Sequence, residues 1–229
     1  MAAFQRRLAI LAATACALPA PAGALAAPAS AAMISVDKAC YVNTATGPAP
    51  LKVTGSGFDP GESVQIAGGT TVIDTTADAT GSFTATGTAP KLSTKAPGTQ
   101  RTTLTATGFD AATGTTTSAR TTALSANLAV SINPLSVPVN ELRKRKVTFT
   151  FSGFTPGKDI YGYYLRKRVV AKTRFGRATG RCGTLTQKAL LLPPGQPTMV
   201  RYGFVFESVS HYSKTAFPRV TALVQFLTL

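Results

Sequence analysis

Between Arg143 and Arg181 the chain carries twelve basic side chains in two groups. The first is Arg143-Lys144-Arg145-Lys146. The second runs from Lys158 through Arg166-Lys167-Arg168, Lys172, Arg174 and Arg177 to Arg181, interleaved with Tyr161, Tyr163, Tyr164 and Phe175. Guanidinium and ammonium groups at this density concentrate oxyanions by charge-assisted hydrogen bonds and by their summed field. The whole chain, 229 residues, has 24 Lys+Arg against 9 Asp+Glu, a formal charge of +15. That charge is unevenly spread. From Ala32 to Ser125 six bases balance six acids, whereas Ala126 to Leu229 holds sixteen bases and three acids (Glu141, Asp159, Glu207), a net of +13. If the second group folds as a hairpin turning near Val169–Ala171, Arg166 and Arg168 share a face of the outgoing strand. Lys172 and Arg174 then share a face of the returning one, and the four can lie together. Like charges facing each other across a sheet cost roughly 0.2–1 kcal/mol per pair, so such a face is shaped for an anion. The competing reading is a solvated basic face that serves solubility alone.

The other chemistry-bearing residues are sparse. His211 is the only histidine of the chain, so no histidine pair can ligate zinc. Ser208, Ser210 and Ser213 lie near it, and a serine triad would also need an orienting carboxylate. Glu207 is the local one, but its strand neighbours alternate away from it, and a surface histidine in a loop is the simpler reading. Asp59 and Glu62 flank a turn and do not read as an acid/base pair. Gly68-Gly69 lacks the lysine and the helix of a phosphate loop and reads as a hairpin turn. The expectation is a non-enzymatic protein with no catalytic residue, no metal site and no cofactor.

Residues 1–31 have the layout of a secretory signal peptide: Arg6 and Arg7, an apolar run from Leu8 to Leu18, then an Ala/Pro-rich tail. Ala24-Leu25-Ala26 and Ala29-Ser30-Ala31 are both small-x-small cleavage sites. The second is favoured because strand-like sequence follows at once with Met33-Ile34-Ser35-Val36. A spanning helix needs about 20 apolar residues, and Pro19 and Pro21 interrupt this run. A lipid anchor on Cys16 is the weaker alternative. No later segment could span a bilayer, so the expected location is secreted or extracellular, with attachment to the cell wall open. Cleavage leaves Cys40 and Cys182 in an oxidising compartment, either as a disulfide or as two separate buried thiols.

The elements that carry these residues repeat. An offset of 96 positions sets Ile34-Ser35-Val36-Asp37 on Val130-Ser131-Ile132-Asn133. Without a gap it also sets Leu51–Gly61, containing Ser56-Gly57-Phe58-Asp59-Pro60-Gly61, on Val147–Gly157, containing Ser152-Gly153-Phe154-Thr155-Pro156-Gly157. In the second copy Val147, Phe149 and Phe151 alternate with threonines, the period of a strand with one buried face. Further strand-like runs lie at Val64–Ile66, Thr70–Thr76, Thr102–Thr107, Val200–Phe206 and Val220–Phe226, punctuated by Gly and Pro. Pro60 and Pro156 preset turns in which Gly61 and Gly157 take positive φ, and Phe58 and Phe154 plug the core beneath. Many short strands per copy of about 95 residues imply two tandem antiparallel β-sandwiches. The expected domains are 32–125, neutral, and 126–229, strongly basic.

The motif Ser-Gly-Phe-x-Pro-Gly before a Val or Ile strand, with Asp78-Ala79-Thr80-Gly81-Ser82-Phe83 in the first copy, resembles the bacterial immunoglobulin-like modules of exported proteins from high-GC Gram-positive bacteria. The second copy lacks a comparable Asp-x-x-Gly-x-Phe segment. With Tyr161 to Arg166 and Gly176 to Leu185 it resembles an uncharacterised exported domain of that group. The resemblance implies immunoglobulin-like sandwiches acting as spacer or adhesive units of the envelope, and fold alone fixes no ligand. The functional expectation is an exported envelope protein whose C-terminal half binds anionic material: teichoic acid, an acidic glycan or a lipid headgroup surface. Tyr interleaved with Arg could stack on bases, but export and the lack of a nucleic-acid motif weigh against that partner. A spacer or protein-binding module without a polyanion ligand is the alternative, and a secreted hydrolase the third reading.

Overall fold

A computed structural model describes residues 31–134, 137–138, 141–196 and 201–225. The expected signal peptide as far as Ser30, with Cys16 and the Ala24-Leu25-Ala26 site, lies outside the described residues, which begin at Ala31, the last residue of the favoured cleavage site. Ala31–Leu229 forms one compact unit, and every regular element described in it is a strand.

The first sandwich contains β1 (Met33–Val36), β2 (Tyr41–Asn43), β3 (Pro50–Ser56), β4 (Ser63–Gly68), β5 (Thr71–Thr76), β6 (Phe83–Thr88), β7 (Thr99–Asp110) and β8 (Thr115–Asn127). One sheet has the order β1-β3-β6 and the other β2-β8-β7-β4-β5. All pairings are antiparallel except β2 with β8. The second sandwich contains β9 (Ala129–Asn133), β10 (Lys146–Ser152), β11 (Asp159–Leu165), β12 (Val169–Arg177), β13 (Leu185–Leu190), β14 (Arg201–Glu207) and β15 (Arg219–Gln225). Its sheets, β13-β10-β9 and β12-β11-β14-β15, repeat the same order strand for strand, without a counterpart of β2. The chain is therefore all-β, two tandem immunoglobulin-like antiparallel sandwiches.

Alternation explains each layer. In β3, Leu51 and Val53 are buried and Lys52 and Thr54 exposed; in β10, Val147, Phe149 and Phe151 are buried. The cores differ in stock. The first is filled mostly by Val, Leu, Ile and Ala, with a single edge-on ring pair, Phe58 and Phe83. The second packs Phe149, Phe151, Phe175 and Phe206 as tilted rings within centroid distances of 4.6–6.2 Å, and Phe154 joins edge-on.

The shared turn is built as the repeat implies. Phe58 and Phe154 are buried, and Gly61 and Gly157 have φ of 80° and 74°. The structure corrects one sequence expectation: the second copy does possess a counterpart of the 78–83 segment. Phe58 N donates to Gly81 O at 3.1 Å and Gly61 N to Ala77 O at 3.0 Å; Phe154 N donates to Gly183 O at 3.2 Å and Gly157 N to Ala178 O at 2.9 Å. Gly81 and Gly183 both have positive φ, and a Cβ on either would strike the backbone carbonyl of Phe58 or Phe154. Ala178–Gly183 thus occupies the place of Ala77–Gly81. The longer β12 and the turn before it shift the offset, which hides the match from an ungapped comparison.

The sandwiches meet around Leu128, between the end of β8 and the start of β9. Leu128 N donates to Asn43 O at 2.7 Å, and the buried Ser152 hydroxyl donates to Asn127 O at 2.6 Å while accepting from Gly98 N at 3.1 Å. A disulfide joins Cys40 to Cys182, with a Cα–Cα separation of 5.3 Å. It ties the β1–β2 connection of the first sandwich to the turn before β13 of the second.

Candidate functional site

The strand order divides the predicted basic residues among three places. β10 starts at Lys146, opposite Leu190 at the end of β13. β11 ends at Leu165, opposite Val169 of β12 and Gly203 of β14. These ends lie at one pole of the second sandwich, opposite the pole that receives the chain from β8 and carries Cys182. Arg143-Lys144-Arg145-Lys146 leads into β10 there, and Arg166-Lys167-Arg168 forms the β11–β12 turn. All seven side chains are exposed, and the one described acid among them is Glu141.

Local structure fixes this cap. Lys144 N and Arg145 N both donate to Glu141 O, making one tight turn whose Leu142 is 1% exposed and pins it to the core. Arg145 pairs with Glu141 at 3.2 Å. Arg143 Nη2 donates to Gln196 O at 2.7 Å, and Gln196 Nε2 donates to Val170 O at 3.4 Å. A hydrogen-bonded path therefore runs from the first basic group to the start of β12, beside the second. Arg166 N donates to Arg168 O at 3.0 Å and closes the turn. Between the groups, burial raises the pKa of the Tyr202 phenol, and Arg166 and Arg143 both pull it back down, as positive charges near a phenolate must.

The predicted hairpin arrangement is overturned. The turn falls at Arg166–Arg168, not at Val169–Ala171, so Arg166 and Arg168 do not share strand faces with Lys172 and Arg174. Those two lie further along β12, opposite Tyr163 and Tyr161, and each is engaged within the fold. Lys172 Nζ sits 4.3 Å from the Tyr161 ring centroid and donates to Ser210 O. Arg174 pairs with Asp159 at 3.0 Å; its hydrogen bond and charge hold the Asp159 carboxyl below its ordinary range. Arg177 ends β12, Arg181 lies beside Cys182, and Lys158 sits in the β10–β11 turn, all towards the joint.

The Ser/His/Glu cluster serves the fold. Glu207 and Tyr163 belong to the outer face of their sheet, yet they are 0% and 3% exposed, because the 208–218 connection folds back over that face. Tyr163 OH donates to Val209 O at 2.8 Å, and its ring packs edge-on against Tyr212. Glu207 accepts from Ser213 N at 3.2 Å and lies 3.6 Å from Arg219, which also donates to Ser213 O and the Tyr212 hydroxyl. Burial pushes the Glu207 carboxyl up, against that N–H and the Arg219 charge. Burial also pushes the Tyr163 phenol up to about 12. His211 is exposed and within 3.2 Å of the Ser210 hydroxyl, while the Glu207 carboxylate is held by Ser213 and Arg219. Among the described residues no three His, Cys, Asp or Glu side chains group as a metal site.

Leu142 and Gln196 hold the cap, and the Glu207–Arg219 pair holds the 208–218 connection as a strap over the outer face; the sequence expectations assign none of these roles. Leu142, an apolar residue just ahead of a basic run, was the one readable signal.

No family model matches the chain, and no curated protein matches it in sequence. Among solved structures it is similar to a Ca2+-stabilized adhesin that helps an Antarctic bacterium reach out and bind ice. The identity is 14% and the TM-score 0.31, over 86% of this chain and 48% of that one. It is also similar to the YadV chaperone, at 10% identity and TM-score 0.29, over 84% of this chain and 98% of that one. A third likeness is to the FN1–FN3 domains of chicken CNTN1, at 10% identity and TM-score 0.25, over 83% of this chain and 64% of that one. The chain thus spans about half the length of the adhesin. These are distant likenesses among β-sandwich proteins, and the fold assignment rests on the strand order above.

Proposed function

We propose that this is an exported, non-enzymatic envelope protein of two domains, 32–125 and 126–229, whose second domain binds anionic surface material. One observation carries the reading: within a sandwich of net charge +13, folding gathers seven exposed bases, with Glu141 the one acid beside them among the described residues, at a single pole facing away from the joint. Charges that served only solubility would gain from being spread apart, since clustering them costs repulsion. The disulfide suits an oxidising compartment outside the cytoplasm. Cosedimentation of the protein with purified bacterial cell wall over a salt series tests the proposal. Binding at low salt that falls steeply with ionic strength is expected; no binding at any salt would leave the spacer reading in its place.

A further inference from the structure

Resting on that reading, we infer that the binding element is the cap formed by Arg143–Lys146 and Arg166–Arg168, and that its ligand is a linear polymer bearing an oxyanion on each repeat. The two basic groups terminate different layers of the sandwich, and packed sheets stand about 10 Å apart. That spacing is close to the screening length of about 8 Å at physiological ionic strength, so each group feels the other through Tyr202 and the core between them. A small anion on one group leaves the other unneutralised, whereas a ligand with several charges in series crosses from layer to layer and offsets both.

The cap is also held in advance. Arg143 is tied to Gln196 and Arg145 to Glu141, each leaving further guanidinium donors outward, so less ordering entropy is lost on binding. A flat lipid surface fits less well. Faces that rest in a bilayer add inserted apolar side chains to their bases, and the exposed large apolar residue described at this pole is Val169, only 37% exposed. Of the other bases between Lys158 and Arg181, Lys172 and Arg174 are engaged on the sheet face, and Lys158, Arg177 and Arg181 lie towards the other pole; Arg201 starts β14 at the cap pole, just beyond the pairing of Gly203 with Leu165.

The test uses the whole protein and fluorescently labelled linear polyphosphate, with affinity read by anisotropy over a salt series. Arg166→Ser/Lys167→Ser/Arg168→Ser and Lys158→Ser/Arg177→Ser/Arg181→Ser remove equal charge from the two poles. The cap triple should lose at least tenfold in affinity, with the log–log salt slope shallower by about two, the counterion release of three lost contacts on a single strand. The joint-side triple should stay within about threefold of the parent. Arg143→Ser/Lys144→Ser provides a second cap variant, and retention of the parent's circular dichroism shows that each variant is folded. Equal losses from the two triples would overturn the cap while leaving polyanion binding intact. Binding to phosphatidylglycerol-containing vesicles without binding to polyphosphate would overturn the polymer. A parent that binds neither probe would overturn the functional reading itself.

Discussion

The first sandwich balances six bases with six acids; the second sets sixteen bases against three on the same strand order. Their cores differ as well, small aliphatics in one and a cluster of phenylalanines in the other. What they hold in common is narrower: alternation along the strands, Phe58 and Phe154 beneath a Pro-Gly turn, and the glycines at 81 and 183 that admit the carbonyls of those phenylalanines. The fold is thus set by apolar period and a few backbone positions, and its poles and outer faces are free to diverge. The β11–β12 turn and the loop ahead of β10 are among the places where they diverge, and there the second sandwich carries the basic cap proposed as the binding element.

The sharpest way to break the comparison is to cut the bond between its halves. The Cys40–Cys182 link encloses a sequence separation of 142 residues, and loop-closure entropy assigns such a cross-link about 5 kcal/mol. Cys40→Ser/Cys182→Ser should lower the denaturant midpoint strongly and separate the two unfolding transitions. Thiol labelling of unfolded, unreduced protein lacking residues 1–30 should find no free thiol, and two per chain would refute the link.

Matched glycine substitutions come next. Gly81→Ala and Gly183→Ala each force a Cβ against a backbone carbonyl at positive φ, so both should cost about 3 kcal/mol or more in chemical denaturation. If Gly183→Ala were tolerated while Gly81→Ala was not, the equivalence of the two turns would fail.

The strap over the outer face has no counterpart in the repeat comparison, and its loss should be milder. Tyr163→Phe removes the hydrogen bond to Val209 O and should cost about 1 kcal/mol, with faster amide exchange confined to 208–218.

The smallest effects separate two carboxylates of the second sandwich by pH. The Asp159 pKa is lowered from its ordinary 3.8 by Arg174, so its contribution to stability is present above that value and fades as pH falls through the folded pKa. The Glu207 pKa is raised from its ordinary 4.5 by burial, so its contribution is largest below that value and fades as pH rises through the folded pKa. Carboxyl NMR titration should find the two displaced in opposite directions, and Arg174→Ser should return Asp159 towards its ordinary value. The Asp159–Arg174 pair is solvent-exposed, so little stability should change with it.

Most of the fold was legible because its strands and its Pro-Gly turns are specified locally, whereas the match of Gly183 to Gly81 is a long-range contact and was not. Val147, Phe149 and Phe151 announce a strand by alternation, and Gly57-Phe58-Asp59-Pro60-Gly61 announces a turn by residue type. The site was legible only in its residues. That Arg143 and Arg166 belong to one cap follows from β10 and β11 running in opposite directions in separate layers, a long-range relation with no local period. The hairpin turn differs from the sequence expectation for a definable reason: Arg166-Lys167-Arg168 continues the Tyr161–Leu165 run as if Arg166 and Arg168 shared a strand face, yet the three bases are the turn. The strand position of Glu207 does turn it away from its neighbours in sequence, as the alternation predicts. Its burial comes from a loop whose return path no pattern in 208–218 specifies.

The central claim, that one pole of the second sandwich binds polyanions and the first sandwich does not, is tested most directly by amide NMR of the labelled protein titrated with short linear polyphosphate. Shift changes should concentrate at 143–146 and 166–168, with 32–125 unmoved. Changes spread evenly over both sandwiches, or centred on Lys158, Arg177 and Arg181, would contradict it.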